Sequence, residues 1–202
     1  MTYSSASKIV PRDASFDFEE FAALLARWNH TINLVGRGDI AELAKRHIAD
    51  ALELIPLIPP NLRRAIDLGS GAGFPGLILA AATGITFDLI EADQRKAAFL
   101  REAARLTGAP VTVHPIRIEA ATLPPAPLLT ARALAPLPRL LSLAAPLLAP
   151  DGVALFPKGP KAVEELTRAA REWHMRVETI AGRSTPGAVI LRITELRRAP
   201  SG

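Results

Sequence analysis

Cysteine is absent from the sequence. Its absence excludes a disulfide framework, a zinc site built on thiolates, and any mechanism that uses a cysteine nucleophile. Long hydrophobic runs are also missing. A membrane-spanning helix needs roughly 18 apolar residues, and the most apolar stretch, residues 140–150, is interrupted by Ser142, Pro146 and Pro150. The first residues lack the hydrophobic region of a secretory signal peptide. We therefore expect a cytoplasmic protein that does not contact a membrane.

Neither sign of charge dominates, since 24 basic and 20 acidic side chains leave a net charge of +4. The basic excess lies in residues 61–202, which hold 18 basic and 12 acidic side chains. It fits either a nucleic-acid partner or an ordinary solvated surface. A chain of 202 residues, 49% of them hydrophobic, is long enough for one sizeable core with a small appendage. It is too short for two full domains.

The first 60 residues predict a short arm followed by a helical extension. Residues 1–14 show no regular pattern, and Ser15 is a candidate cap for a first helix. That helix has an apolar stripe at spacings of three and four residues, formed by Phe18, Phe21, Leu25 and Trp28. Asp39 and Glu42 have the spacing of a capping box at the start of a second helix, which prolines end after residue 55. Residues 1–60 therefore form one predicted unit.

Residues 61–202 alternate between short strands and helices, which predicts a mainly parallel sheet covered by helices on both faces. The expected strands are residues 65–68, 86–90, 111–114, 128–131, 153–156, 176–180 and 188–196. The expected helices are residues 75–83, 94–107, 138–148 and 161–173. No helix separates the last two strands, which are joined by a turn at residues 184–187, so we expect them to pair antiparallel.

A glycine-rich loop between the first strand and the helix after it is the strongest functional motif. Glycine allows the backbone to turn sharply and a ligand to approach the main chain, and the start of the helix attracts an anion. Gly71, Gly73 and Gly76 match the G-x-G-x-x-G pattern, and Glu91 lies 20 residues after Gly71, where a ribose-binding acid is expected. A nicotinamide dinucleotide is therefore one candidate ligand.

Two features favour S-adenosylmethionine over a nicotinamide dinucleotide. Asp67 stands two residues before Gly69, the first glycine of the loop, in a pattern typical of S-adenosylmethionine-dependent methyltransferases. A single α/β unit of this length also leaves little room for a second mononucleotide-binding half and a substrate domain. The methionyl carboxylate would lie at the loop amides, the cationic amine near an acid such as Asp67, and the ribose hydroxyls at Glu91. No set of residues predicts a metal site.

An ordered series of motifs resembles the bacterial small-subunit rRNA guanine-N7 methyltransferases, the RsmG or glucose-inhibited division protein B family. The resemblance covers most of the chain. Its motifs are residues 28–29 and 32–34, residues 46–48 with Asp50, the loop 67–76, Glu91 with Lys96, Phe99 and Leu100, residues 117–119, residues 132–133 and residues 158–159.

The resemblance implies a Rossmann-like class I methyltransferase fold: a mostly parallel seven-stranded sheet with an antiparallel last strand, residues 61–202, after the helical extension. It implies S-adenosyl-L-methionine as cofactor, held by Gly69, Ser70, Gly71, Gly73, Phe74, Glu91, Ile118, Glu119 and Arg132. It implies methylation of N7 of guanine 527 in the 530 loop of 16S rRNA, free or within the 30S subunit. Nothing in the sequence requires more than a monomer. RNA contacts are expected at Arg46, His47, Arg132 and Lys158.

This chemistry fits the residue types that are present. Guanine N7 has an in-plane lone pair and loses no proton on methylation, so neither a general base nor a covalent catalyst is needed. The protein must only align N7, the methyl carbon and the sulfur, and we expect no catalytic residue beyond those that orient. The missing cysteine excludes the covalent route to 5-methylcytosine. The sequence also lacks the Asn/Asp–Pro–Pro–aromatic tetrapeptide of exocyclic-amine methyltransferases.

The residues alone leave other functions open. One is a methyltransferase of the same fold that acts on a small molecule or a protein. Another is a non-catalytic module that binds a nicotinamide dinucleotide, which Asp67 disfavours. Single residues also have structural interpretations: His47 has the helical spacing for a hydrogen bond to Asp50, and Trp28 lies on the apolar stripe, where packing in a core is expected.

Overall fold

The structure is a computed structural model that describes residues 18–36, 38, 40–183 and 187–200. The helices are α1 (Phe18–Asn29), α2 (Ile40–Leu52), α3 (Gly76–Thr83), α4 (Gln94–Thr107), α5 (Leu137–Ala144) and α6 (Ala162–Ala169). The strands are β1 (Arg64–Leu68), β2 (Thr86–Ile90), β3 (Val111–His114), β4 (Ala126–Thr130), β5 (Leu148–Lys158), β6 (Trp173–Ala181) and β7 (Val189–Arg198). Single 3-10 turns lie at Ile55–Leu57 and Ile118–Ala120.

Within the described residues the strands form one seven-stranded sheet in the order β3-β2-β1-β4-β5-β7-β6. The neighbouring pairs from β3 to β5 are parallel, while β7 runs antiparallel to both β5 and β6. The mostly parallel sheet with an antiparallel last strand is therefore confirmed. Because β1, β2, β4 and β5 run in one direction, the segments that follow them meet at one edge of the sheet, where ligands bind in such folds.

Local signals set several helix ends correctly. The Asp93 carboxylate accepts hydrogen bonds from the backbone N–H groups of Arg95 and Lys96 and caps α4, as an N-cap residue does. Gly108 and Gly84 end α4 and α3 in the left-handed conformation, at φ of 63° and 72°. The expected caps Ser15 and Asp39 lie outside the described residues, as do the arm 1–14 and most of the turn at 184–187.

Two predicted helices are too long. The helix expected at 138–148 ends at Ala144, because Leu148 pairs with Ala126 of β4 and already belongs to β5. The helix expected at 161–173 ends at Ala169, because Trp173 pairs with Arg198 of β7 and begins β6. In both cases pairing with a distant strand overrides the local helical pattern.

The helical extension shares a hydrophobic core with the sheet. Phe21 is fully buried, and its ring lies 5.8 Å from that of Phe74 and 6.3 Å from that of Phe99. Trp28 packs edge-on against Phe99, and its indole Nε1 donates to Glu102 of α4 at 3.0 Å. The structural interpretation of Trp28 as a packing residue is thus confirmed. A second core on the other face of the sheet holds α5, α6 and the ends of β6 and β7.

No helix within the described residues is long and apolar enough to cross a membrane.

Candidate active site

The loop after β1 requires glycine at several positions. Gly69, Gly71 and Gly73 have φ values of 66°, 53° and 88°, a region that side chains disfavour. A Cβ added at Gly69 would lie 2.6 Å from Cδ1 of Leu134. A Cβ added at Gly71 would meet no atom closer than the Gly69 carbonyl oxygen at 3.8 Å, so it would project into a cavity that Gly71 lines. The loop is therefore shaped for close approach of a ligand.

The carboxylate of Asp67 lies beneath this loop. The side chain is 1% exposed, and Oδ1 accepts a hydrogen bond of 2.6 Å from Thr130 Oγ1 of β4. Oδ2 has no hydrogen-bond partner among the described residues. Burial raises the pKa of Asp67 to about 6, although the hydrogen bond from Thr130 acts in the opposite direction. A Cβ at Gly76 would lie 2.5 Å from Asp67 Cβ, so Gly76 is needed for this contact.

Glu91 follows β2 and supports the loop. Its Oε2 accepts a hydrogen bond from Gly71 N at 2.8 Å, and its Oε1 accepts one from Asp93 N at 2.8 Å. Each carboxylate oxygen has a second lone pair, so hydroxyl groups of a ligand can still donate to Glu91. The predicted site for ribose hydroxyls therefore has suitable geometry.

A cavity of about 450 Å³, which we call the loop cavity, lies above these residues. Its wall contains the predicted cofactor residues Gly69, Ser70, Gly71, Phe74, Glu91, Ile118, Glu119 and Arg132. Gly73 is not part of the wall. Asp67 also lies outside it, so its carboxylate acts from beneath the loop.

The loop cavity has wall residues to which the sequence assigned no role. They are Leu34, Ala72, Ile90, Ala92, Lys96, Ile116, Arg117, Ala133, Leu134 and Leu143. Lys96 and Arg117 belong to the series of family motifs in the sequence, and that membership could have identified them as site residues. Leu34 and Ala133 also belong to that series, in residues 32–34 and 132–133. Ala133 has φ of 53°, a strained conformation for a residue other than glycine, and nothing in the sequence indicates that strain.

The charges and hydrogen bonds of the loop cavity fit an S-adenosylmethionine molecule. The backbone N–H groups of Ser70, Gly71 and Gly73 already donate to Ile90 O, Glu91 and Ser70 O. These three loop amides are therefore engaged within the protein, and the carboxylate site expected at the loop stays a prediction for its remaining amides. Lys96, Arg117 and Arg132 also place cationic groups in the wall, which suits a carboxylate.

Arg132 lies where the helical extension meets the carboxyl end of β4. Its Nη1 is 2.8 Å from His47 Nδ1 and 3.2 Å from Asp50 Oδ2, both on α2. Its guanidinium carbon lies 5.2 Å from the centre of the Phe74 ring, a cation–π distance. Asp50 Oδ1 is buried and has no partner in the described part of the chain. We call these four residues, His47, Asp50, Phe74 and Arg132, the junction cluster.

The junction cluster holds His47 in its neutral form. Burial and the nearby Arg132 guanidinium lower the pKa of His47 to about 4, although Asp50 acts in the opposite direction. Arginine can only donate hydrogen bonds, so Nδ1 of His47 accepts and the ring proton is assigned to Nε2. Burial also lowers the pKa of Arg132, while Asp50 raises it. The expected surface pair of His47 and Asp50 is instead a part-buried contact of 3.7 Å that includes Arg132.

A second cavity of about 590 Å³, the outer cavity, adjoins the loop cavity, since Arg132, Ala133 and Leu134 line both. The rest of its wall consists of Asp50, Glu53, Ala135, Pro136, Pro157, Lys158, Gly159, Pro160, Glu165, Gly182, Ala188, Val189 and Ile190. The two cavities meet at the loop that follows β4.

Lys158 lies in the wall of the outer cavity but its ammonium group is engaged. Nζ donates to Ala135 O at 2.8 Å and to Glu165 Oε2 at 2.9 Å, and the side chain is 11% exposed. Glu165 Oε2 also accepts a hydrogen bond of 2.7 Å from Leu137 N at the start of α5. Lys158 therefore clamps the loop after β4, whereas Arg46 of α2 is exposed.

The described residues contain no cluster of three or more side chains that suits a metal ion. Glu119 is exposed and forms an ion pair with Arg139 of α5 at the rim of the loop cavity.

Comparison with known proteins places these features in a family. The sequence profile described as rRNA small subunit methyltransferase G matches residues 15–185. A protein of Granulibacter bethesdensis described as ribosomal RNA small subunit methyltransferase G is 54% identical over 197 residues, 98% of this chain and 92% of the relative. A Gluconobacter oxydans protein of the same description is 54% identical over 189 residues, 94% of this chain and 97% of the relative.

Solved structures share the fold. M. jannaschii TYW2 in complex with AdoMet superposes with a TM-score of 0.58 at 17% identity, covering 84% of this chain and 80% of the other. An O-methyltransferase from Bacillus cereus in complex with SAH superposes with a TM-score of 0.57 at 15% identity, covering 92% of each chain. These likenesses confirm the Rossmann-like class I methyltransferase fold.

Proposed function

Because the chain belongs to the rRNA small subunit methyltransferase G family, it is an S-adenosylmethionine-dependent methyltransferase of small-subunit rRNA, and we propose that it methylates N7 of guanine 527 in 16S rRNA. Residues 61–202 are the cofactor-binding core and residues 1–60 its extension. The proposal places the protein in the cytoplasm with its ribosomal substrate, acting as a monomer.

One observation carries this proposal: the loop cavity and the outer cavity meet at the residues Arg132, Ala133 and Leu134. A bound S-adenosylmethionine supplies a methyl group on a cationic sulfur, which a nucleophile can attack directly. Glu91 would hold the ribose, Gly69 and Phe74 would line the methionine side of the cofactor, and Ile118 and Glu119 would flank the adenine. An adjoining cavity of this size admits a single unstacked base, as enzymes that modify bases require.

The residues of the site act by orientation. N7 of guanine presents an in-plane lone pair and needs no proton removed, so no general base is required. Within the described part of both cavity walls, all five acids already accept hydrogen bonds from the protein: Asp50, Glu53, Glu91, Glu119 and Glu165. Their contribution is to hold the two reactants in line, which alone supplies a large share of a rate enhancement.

Cationic residues at the rim suit an RNA partner. Arg46 is exposed on α2 and near enough to influence the pKa of both His47 and Arg132. Phosphate groups of RNA attract such side chains. Lys158, in contrast, is held by Glu165, so we propose Arg46 as an RNA contact and Lys158 as a support of the site.

The test uses the purified protein with methyl-labelled S-adenosylmethionine and 30S subunits or 16S rRNA that lack the modification. One portion of the RNA is digested to nucleosides and another to oligonucleotides of known sequence, and mass spectrometry of both identifies the labelled nucleoside and its position. Labelled 7-methylguanosine at position 527 supports the proposal. Label on another nucleoside corrects the target atom, and label on protein or small molecules alone contradicts the rRNA substrate. Gly71→Asp, which fills the loop cavity, is the inactive control.

A further inference from the structure

The junction cluster lies where the proposed reaction moves a positive charge. Forming the bond from guanine N7 to the methyl carbon uses the lone pair of N7. The bond from carbon to sulfur breaks, and its electron pair remains on sulfur. No proton is transferred. The sulfur therefore loses its positive charge and the base acquires one, so charge passes from the loop cavity toward the outer cavity.

Arg132 stands at this crossing, because it lines both cavities. A guanidinium is always protonated, and an uncompensated cation there would oppose the arrival of a second positive charge on the base. The effect is strong in a part-buried site, where charges interact more strongly than in water. Something must offset the charge of Arg132 if the transfer is to proceed.

We propose that Asp50 is a positioning and charge-balancing residue for methyl transfer, which offsets the Arg132 guanidinium so that the target base can become cationic. This inference rests on the proposed function. Among the described residues, Asp50 is the one carboxylate within 4.0 Å of Arg132, with Oδ2 at 3.2 Å from Nη1. Asp50 also lines the outer cavity.

Two charges outside both cavity walls also act on Arg132: Asp67 acts in the same direction as Asp50, and Arg46 acts in the opposite direction. The charges within the wall of the outer cavity support the balance. His47 is neutral and adds no positive charge. Lys158 is paired with Glu165 at 2.9 Å, so its charge is also offset. Glu53, in the same wall, accepts a hydrogen bond of 3.1 Å from Arg183 N, and no cationic side chain of the described chain forms an ion pair with it. The outer cavity therefore carries an excess of negative charge, which suits a cationic product.

Asp50 Oδ1 adds an independent sign of function. A buried carboxylate oxygen without a donor is unfavourable for stability, and Oδ1 has none. Asp88 shows the contrast, since its two oxygens are satisfied by Arg64 and His114 at 2.9 and 2.8 Å. An acid that served only to hold an arginine and a histidine would be expected to resemble Asp88.

The experiment compares Asp50→Asn with Asp50→Glu and with the matched control Asp88→Asn. Asparagine at position 50 keeps an oxygen that can accept from Arg132 but removes the negative charge. Asp88→Asn removes a carboxylate that also contacts an arginine and a histidine, but away from both cavities. For each variant we would measure single-turnover methyl transfer at saturating S-adenosylmethionine and the affinity for S-adenosylhomocysteine.

A second readout separates charge balance from a purely structural role. With S-adenosylhomocysteine bound, each protein is titrated with a target RNA fragment that carries either guanosine or 7-methylguanosine. For Asp50→Asn we expect single-turnover transfer to slow by about 10- to 100-fold and the affinity for the methylated fragment to fall relative to the unmethylated one. Asp50→Glu should restore the affinity ratio, and Asp88→Asn should change neither quantity.

An unchanged affinity ratio in Asp50→Asn, in a protein that still binds S-adenosylhomocysteine, would overturn the inference. If Asp50→Asn does not fold, the wild-type protein still decides: weaker binding of 7-methylguanosine than of guanosine would contradict the inference, and equal or tighter binding of 7-methylguanosine would support it. Absence of 7-methylguanosine from the wild-type reaction products would instead contradict the proposed function.

Discussion

Arg132 and His47, 85 positions apart, are joined by a hydrogen bond of 2.8 Å between Nη1 and Nδ1. The bond ties α2 of the helical extension to the loop after β4, at the wall of both cavities. It exists only while the imidazole is neutral, because a protonated imidazole would present a second donor to the guanidinium. The stability of the junction cluster should therefore depend on pH.

His47→Gln should make the stability of the protein less dependent on pH. The pKa of His47 is about 4 in the folded protein and near 6.5 when unfolded, so the unfolded state takes up the proton first. Stability from this group is present above pH 6.5 and is lost as the pH falls toward 4. Between pH 7 and pH 5 the wild-type protein should lose about 1 to 2 kcal/mol of unfolding free energy relative to His47→Gln. Urea denaturation at both pH values measures the difference, and parallel curves would contradict the expectation.

Asp67→Asn should stabilise the protein at neutral pH. The pKa of Asp67 is raised from 3.8 to about 6 by burial, so the folded state holds its proton to higher pH than the unfolded state. The resulting loss of stability builds up between pH 4 and pH 6 and persists above that range. Asparagine avoids it, so we expect a gain of about 1 to 3 kcal/mol at pH 8 and little gain at pH 4. Thermal unfolding of both proteins across this range is the measurement, and a gain that does not vary with pH would argue against the buried charge as its cause.

Gly71→Asp should abolish binding of S-adenosylhomocysteine. The new side chain would project into the loop cavity and bring a negative charge near Glu91. Gly108→Asp is the matched control, since Gly108 has a similar φ of 63° with no atom within 4 Å of an added Cβ. Both variants carry the strain of a left-handed residue, but only Gly71→Asp should lose the calorimetric binding signal. Equal binding of S-adenosylhomocysteine by both variants would contradict the placement of the cofactor in the loop cavity.

Lys158→Ala should destabilise the fold. It leaves the part-buried Glu165 without its cation and frees Ala135 O, a loss that we expect to be worth about 1 to 3 kcal/mol. The melting temperature of the protein without RNA measures it. A variant with unchanged melting temperature and weakened RNA binding would restore Lys158 as an RNA contact.

Arg46→Ala should show the opposite behaviour. The side chain is exposed, so we expect the melting temperature to stay the same and the affinity for 16S rRNA to fall. If Arg46 contacts one phosphate, the slope of log affinity against log salt should decrease by about 1. Filter binding at several salt concentrations provides the slope, and an unchanged slope would exclude a phosphate contact.

The parts of the fold that local chemistry dictates could be predicted from the sequence. Helix α4 begins after Asp93 and ends at Gly108, as expected, because a capping side chain and a left-handed glycine act on the few residues next to them. The glycine loop and Glu91 likewise follow from spacing, since they sit at the ends of adjacent strands. The ends of α5 and α6 could not be predicted, because they depend on pairing with strands elsewhere in the chain.

The junction cluster could not be predicted from the sequence. His47 and Asp50 are three residues apart on α2, and their spacing indicated only a pair on the helix surface. Arg132 reaches them from a different element, and its contact with Phe74 depends on the shape of the glycine loop. Such a set is fixed by tertiary structure. The same is true of Lys158, whose partner Glu165 is supplied by α6.

The shared core of the helical extension has a consequence for how the chain folds during its synthesis. Helices α1 and α2 leave the ribosome before the strands do, but Phe21 and Trp28 pack against Phe99, and the partner of His47, Arg132, is made later still. The apolar face of α1 lacks Phe99 until α4 has been translated, at a point where β1 and β2 are the strands made so far. Contacts so distant in sequence form slowly, and exposed apolar surface in such intermediates favours aggregation. The helical extension of this methyltransferase is thus completed by parts of the chain that are made after it.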